Sequence, residues 1–116
     1  MHELSIATAI IERAGELARA GGTDAVGTVT VRVGELAGVV PDALGFAFDV
    51  ARDGTALARA ELVVEQVTAR AWCEACTEDF PVGMPPFFWC PRCDRPSSDL
   101  RSGRELEITG IDPAPA

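Results

Sequence analysis

Residues 73–93 read Cys73-Glu74-Ala75-Cys76, then thirteen residues, then Cys90-Pro91-Arg92-Cys93. Two residues between thiols let a tight turn point both sulfurs at one ion, and two such turns supply four thiolates in a tetrahedron. That is the closed geometry of a structural zinc site. Metal binding can supply the folding free energy that a module of under thirty residues lacks. Spacing predicts Zn(II) held by Cys73, Cys76, Cys90 and Cys93. Two disulfides, redox-active thiols or another metal are the competing readings. A redox motif needs one pair, not two.

Around these pairs, residues 72–99 hold all four Cys, both Trp, three of five Phe and five of eight Pro. This reads as a separate module that leaves a sheet and returns to it. Inside it, Met84-Pro85-Pro86-Phe87-Phe88-Trp89 either wraps the metal module and packs on Trp72 or offers an apolar docking surface. The module's acids, Glu74, Glu78, Asp79, Asp94 and Asp99, outnumber Arg92 and Arg95. Nucleic-acid binding, which wants a basic footprint, is disfavoured there.

Outward from the module the pattern is regular. Ala7, Ile10, Ile11, Ala14, Leu17 and Ala18 recur at helical spacing and predict a helix over 4–20, stopped by Gly21-Gly22. Val29, Val31 and Val33 alternate with Thr28, Thr30 and Arg32 and predict a strand over 28–33. Leu44, Phe46, Phe48 and Val50 fit periods of both 2 and 3.6. Pro41-Asp42 and Asp53-Gly54 frame them and favour a helix over 41–52. Residues 60–71 read as a strand whose phase shifts near Glu65-Gln66, a bulge signal. Residues 104–111 read as a third strand, with Leu106 and Ile108 inward, and 113–116 as a flexible tail.

Composition narrows the chemistry. The 116 residues leave room for one domain plus a small module, and the net charge is −8. All ten basic residues are Arg, and the only His is His2. Without Lys there is no P-loop lysine and no Schiff base, and a His at the second position suits no Ser-His-Asp or Cys-His site. The ordinary enzyme classes narrow accordingly. With no signal-peptide pattern and no long apolar span, the expected location is the cytoplasm, off the membrane, where thiols stay reduced.

His2 has one further capacity. The α-amine of Met1, the amide nitrogen of His2 and its imidazole can chelate one ion through fused rings, a nitrogen set that suits Ni(II) or Cu(II). Glu3 can add a carboxylate. Taken alone, a solvated terminus is the commoner meaning of Met-His.

Met1-His2-Glu3-Leu4-Ser5 opening a helix, the two Cys pairs, and Gly103-Arg104-Glu105-Leu106-Glu107-Ile108 together resemble the HypA/HybF family. Gly34-Glu35-Leu36 and Phe46-Ala47-Phe48 add to the likeness, while the Pro-Ala tail does not. The resemblance implies an α+β fold in which two helices pack on a three-stranded sheet, with the four-Cys, zinc-ribbon-like module inserted. In this reading residues 1–71 and 100–112 form the nickel domain and 72–99 the zinc module. The resemblance also implies labile Ni(II) on Met1, His2 and Glu3, with His2 as principal ligand, beside structural Zn(II). The implied function is a metallochaperone that delivers Ni(II) to the large-subunit precursor of [NiFe]-hydrogenase. A HypB-type nickel-binding GTPase and, in some members, urease maturation are the implied partners. Monomer, homodimer and strand-swapped dimer are all compatible with the sequence.

Overall fold

The computed structural model describes residues 2–115. In chain order the elements are α1 (Glu3–Ala20), β1 (Val26–Gly34), α2 (Pro41–Ala51), β2 (Glu61–Val67), β3 (Arg70–Cys73), β4 (Glu78–Pro81), β5 (Leu100–Ser102) and β6 (Leu106–Pro113). They form two three-stranded sheets, ordered β2-β1-β6 and β4-β3-β5. The chain divides into two compact units. One takes the stretches up to Arg32, from Val39 to Glu65, and from Glu107 onward; the other takes Val33–Gly38 and Gln66–Leu106.

In the first unit α1 packs against α2. The predicted stripe on α1 is buried at Ala7, Ile10, Ile11, Ala14 and Ala18, but Leu17 sits at the margin and is exposed. The helix stops where Gly21 donates back to Leu17 and Ala18 and Gly22 takes a positive φ of 86°. Pro41 starts α2, where its missing N–H has no helical partner to lose. Leu44, Ala47 and Phe48 turn inward, whereas Phe46 and Val50 stay exposed. The period of 3.6 therefore wins over the period of 2. Val29 and Val31 of β1 are buried as the alternation requires.

Two strand expectations change. The stretch 60–71 is two strands, β2 and β3, in different sheets, so the phase shift marks a chain passing from one sheet to another. Leu106 does not point inward: it is 43% exposed at the first position of the edge strand β6, while Ile108 is half-buried. The tail is also shorter than expected, since β6 runs to Pro113 and the Ala114 N–H donates to Ala25.

The second unit is wider than residues 72–99 because β3 pairs with both β4 and β5, and its partners lie on either flank. Its core joins Ala69, Ala71, Phe80 and Val82 to Cys73 and Cys90, with Leu36, Phe88 and Leu100 packed on it. Gly34 and Gly103 let the backbone close up here. A Cβ on Gly34 would lie 2.2 Å from the carbonyl carbon and oxygen of Gly103, and Gly103 has a φ of 120°. The approach seats two hydrogen bonds, Gly34 N–H to Glu105 O and Leu36 N–H to Gly103 O. The Glu35 carboxylate accepts the Ala69 N–H and the Glu105 carboxylate accepts the Gly103 N–H.

Candidate metal centres

The four-thiol site lies in the second unit. Cys73 ends β3 and Cys76 lies in the turn before β4, so sheet pairing of Cys73 with Glu78 fixes the first pair. The second pair sits on a tight hairpin closed by a bridge between Trp89 and Pro96. Within it the Cys90 N–H donates to Arg95 and the Asp94 N–H donates to Cys90, both at 2.8 Å. Thr77 and Asp94, each directly after the second Cys of a pair, have positive φ of 52° and 62°. Only a few per cent of residues other than Gly do this. The equivalent placement shows that both turns curl the same way around their sulfurs. Their role was hidden in the sequence; the signal for it was their shared position one residue past each pair.

All four sulfurs lie within 4.8 Å of one another. Cys73 and Cys93 sulfurs are 3.5 Å apart, and Cys76 and Cys90 sulfurs 3.9 Å. A regular tetrahedron with Zn–S near 2.3 Å has S–S edges of about 3.8 Å. A disulfide needs about 2.05 Å, and all four Cys are free. The donor set and its spacing therefore fit zinc, and the disulfide reading fails.

The thiols are not equivalent. The Cys90 thiol is pulled down to about 7, first by the Cys93 N–H and then by that of Arg92, against the effect of burial. The Cys76 thiol is pushed up to about 12, first by its hydrogen bond with the Cys93 thiol and then by burial. Arg92, between the second pair, is ion-paired to Glu78, which raises its own affinity for the proton.

The apolar loop divides. Phe88 packs on the module's core, but Met84, Phe87 and Trp89 are exposed, with the Phe87 and Trp89 rings 5.2 Å apart. Trp72 instead carries Arg101 over its ring and donates from Nε1 to Glu74.

The second expected site opens the first unit. Met1 lies outside the described residues. His2 is the N-cap of α1, and its carbonyl accepts from the Ile6 N–H and the Ser5 hydroxyl. Its own N–H is one of the helix-start donors without an intrahelical acceptor. The imidazole is half-exposed, with Nε2 3.9 Å from a Glu3 carboxylate oxygen. Glu3 is only 8% exposed. Its Oε2 accepts the N–H of Val40, the N-cap of α2, at 3.3 Å. Sequence reasoning offered Glu3 as a ligand and missed this anchoring contact, because nothing local to Glu3 points to residue 40.

Comparison with known proteins decides the family. Residues 1–112 match the family model described as "Hydrogenase/urease nickel incorporation, metallochaperone, hypA". The chain belongs to the HypA family. The hydrogenase maturation factor HypA of Streptomyces avermitilis is 49% identical over 112 residues, covering 96% of this chain and 86% of that one. The HypA of Chloroflexus aurantiacus is 46% identical over 112 residues, covering 97% and 98%. The solution structure of the Ni metallochaperone HypA from Helicobacter pylori superposes with a TM-score of 0.67 at 20% identity, over 97% of each chain, a likeness of fold. As a member of this family, the chain is a hydrogenase maturation factor of the nickel-metallochaperone type and not a catalyst. Among the described residues, no helix is long and apolar enough to cross a membrane.

Proposed function

We propose that this chain carries Ni(II) on its N-terminal residues and holds Zn(II) permanently in its four-thiolate site. Met1, His2 and Glu3 form the nickel site, with His2 the principal ligand through its imidazole and amide nitrogens and Met1 contributing the α-amine. Glu3 acts first by anchoring this arm to the start of α2, so that a carboxylate stands beside the imidazole. Zinc is held by Cys73, Cys76, Cys90 and Cys93. The zinc module, 72–99, is the metal-holding part of the second compact unit, and the nickel site opens the first. The cargo is passed in the cytoplasm to the large-subunit precursor of [NiFe]-hydrogenase, in concert with a HypB-type nickel-binding GTPase. Urease maturation is a second outlet.

The observation that carries this reading is the contrast between the two donor sets. Four thiolates, two of them buried, make a cage suited to retention. A half-exposed imidazole at a helix start makes a site that a partner can reach. Nitrogen donors suit nickel, and a closed thiolate tetrahedron suits zinc.

The test is equilibrium titration of Ni(II) into protein with its native terminus, His2→Ala protein, and protein extended before Met1. The native form is expected to bind one Ni(II) tightly, and both altered forms to lose that binding while keeping one zinc. Equal nickel affinity in all three would remove the terminal site.

A further inference from the structure

Helix α2 buries one side through Leu44, Ala47 and Phe48 and presents two columns on the other. At 3.6 residues per turn, Ala43, Phe46 and Val50 fall within about 60° of one another. Phe46 is 74% and Val50 58% exposed. By the same periodicity Asp42 and Asp49, with Asp53 just past the helix end, fall within about 40° of one another, alongside the apolar column. All three acids are exposed.

This is not the plain solvated face that a surface helix usually shows. A ring as large as Phe46 gains nothing by standing in water. The acids are also placed against the helix's own field. The C-terminal end of a helix is its negative end, where carboxylates are unfavourable and cations favourable. Asp49 and Asp53 lie there, and the last turn of α2 has no basic residue. The nearby cation, Arg52 at the C-cap, is shared: its Nη1 is ion-paired to Asp49 at 3.8 Å and donates to the Ala60 carbonyl at 2.5 Å, which leaves Asp42 and Asp53 with no ion pair among the described residues. An external cation would relieve this end of the helix.

We infer that the outer face of α2 docks an amphipathic segment of a partner protein, apolar along one side and edged with Lys or Arg. Its apolar side covers Phe46 and Val50, and its cations meet Asp42, Asp49 and Asp53. A second copy of this chain is the poorer occupant. Each chain carries a net charge of −8, and a face paired with itself would set these acids against the same acids.

The probe is a short synthetic Leu/Lys helix, amphipathic and fluorescently labelled, with a Leu/Glu helix of the same pattern as its control. Anisotropy is read against the purified full-length protein at low and high salt. The Leu/Lys peptide is expected to bind and the Leu/Glu peptide not to. Phe46→Ser should weaken binding about tenfold or more, as loss of a buried aromatic anchor does. Asp49→Asn with Asp53→Asn should weaken it several-fold and flatten its salt dependence. Because Phe46 is exposed, Phe46→Ser should keep the parent melting temperature, and the Asp49→Asn with Asp53→Asn protein should melt no lower than the parent. Binding unchanged by Phe46→Ser would overturn the proposal. So would binding lost instead on Phe87→Ser, which would move the surface to the four-Cys unit. Sedimentation showing a dimer that Phe46→Ser abolishes would give the face to a second copy, and would also overturn it.

Discussion

Phe46 and Phe48 stand two residues apart in one motif, and truncating each to Ala separates the two ways of reading it. In a strand, positions 44, 46, 48 and 50 share a face, so both substitutions would cost alike. In the observed helix they do not. Phe48 is fully buried, while Phe46 is 74% exposed. Removing a buried Phe side chain leaves a cavity and costs about 3–5 kcal/mol. Exposed substitutions usually fall within about 0.5 kcal/mol. For a cooperative unit of some 60–100 residues, 1 kcal/mol moves the midpoint by about 4–8 °C, so Phe48→Ala should lower it by roughly 12–40 °C. Phe46→Ala should move it by about 4 °C at most on the same scale. The assay is calorimetry with far-ultraviolet circular dichroism on metal-loaded protein, so that the four-Cys unit stays folded and the first unit is followed. Equal losses at the two positions, or a larger loss at Phe46, would refute the burial of α2 described above.

Two further outcomes follow from the same geometry. Gly34→Ala, whose Cβ would meet Gly103 backbone at 2.2 Å, should destabilise the four-Cys unit by about 1–3 kcal/mol or more. Gly45→Ala, mid-helix in α2 with open space around it, should stabilise the first unit by about 0.5–1 kcal/mol, both read from denaturant midpoints.

What the sequence made legible was whatever is set by local spacing. The helix stripe from Ala7 to Ala18, the Val29-Val31 alternation and the two Cys pairs each carry their period in a few residues. What was misread or went unseen mostly concerns contacts between distant positions. The stretch 60–71 looked continuous because apolar alternation does not say which sheet a strand joins. Leu106 looked inward because alternation does not reveal an edge. Glu3 looked like a ligand and no more, because its hydrogen bond to Val40 spans 37 positions. Gly34 and Gly103, 69 positions apart, give no sign of each other in the sequence, yet their backbones fit only because neither has a Cβ.

The placement of the lone His bears on release as well as on binding. The atoms that α1 needs from His2 are its carbonyl oxygen, which serves Ile6 and Ser5. The proposed chelating atoms, its amide and imidazole nitrogens, are those the helix does not use. Nickel could then leave by exchange of ligands at the chain terminus while every helical hydrogen bond stays in place. The thiolate site has no such freedom. Cys73 and Cys90 belong to the hydrophobic core of the four-Cys unit, so metal loss there opens the core itself. A carrier that must surrender one metal and keep another needs this difference in construction. Here the proposed nickel site would use helix-start atoms that α1 does not need, whereas the four thiols stand in a folding core.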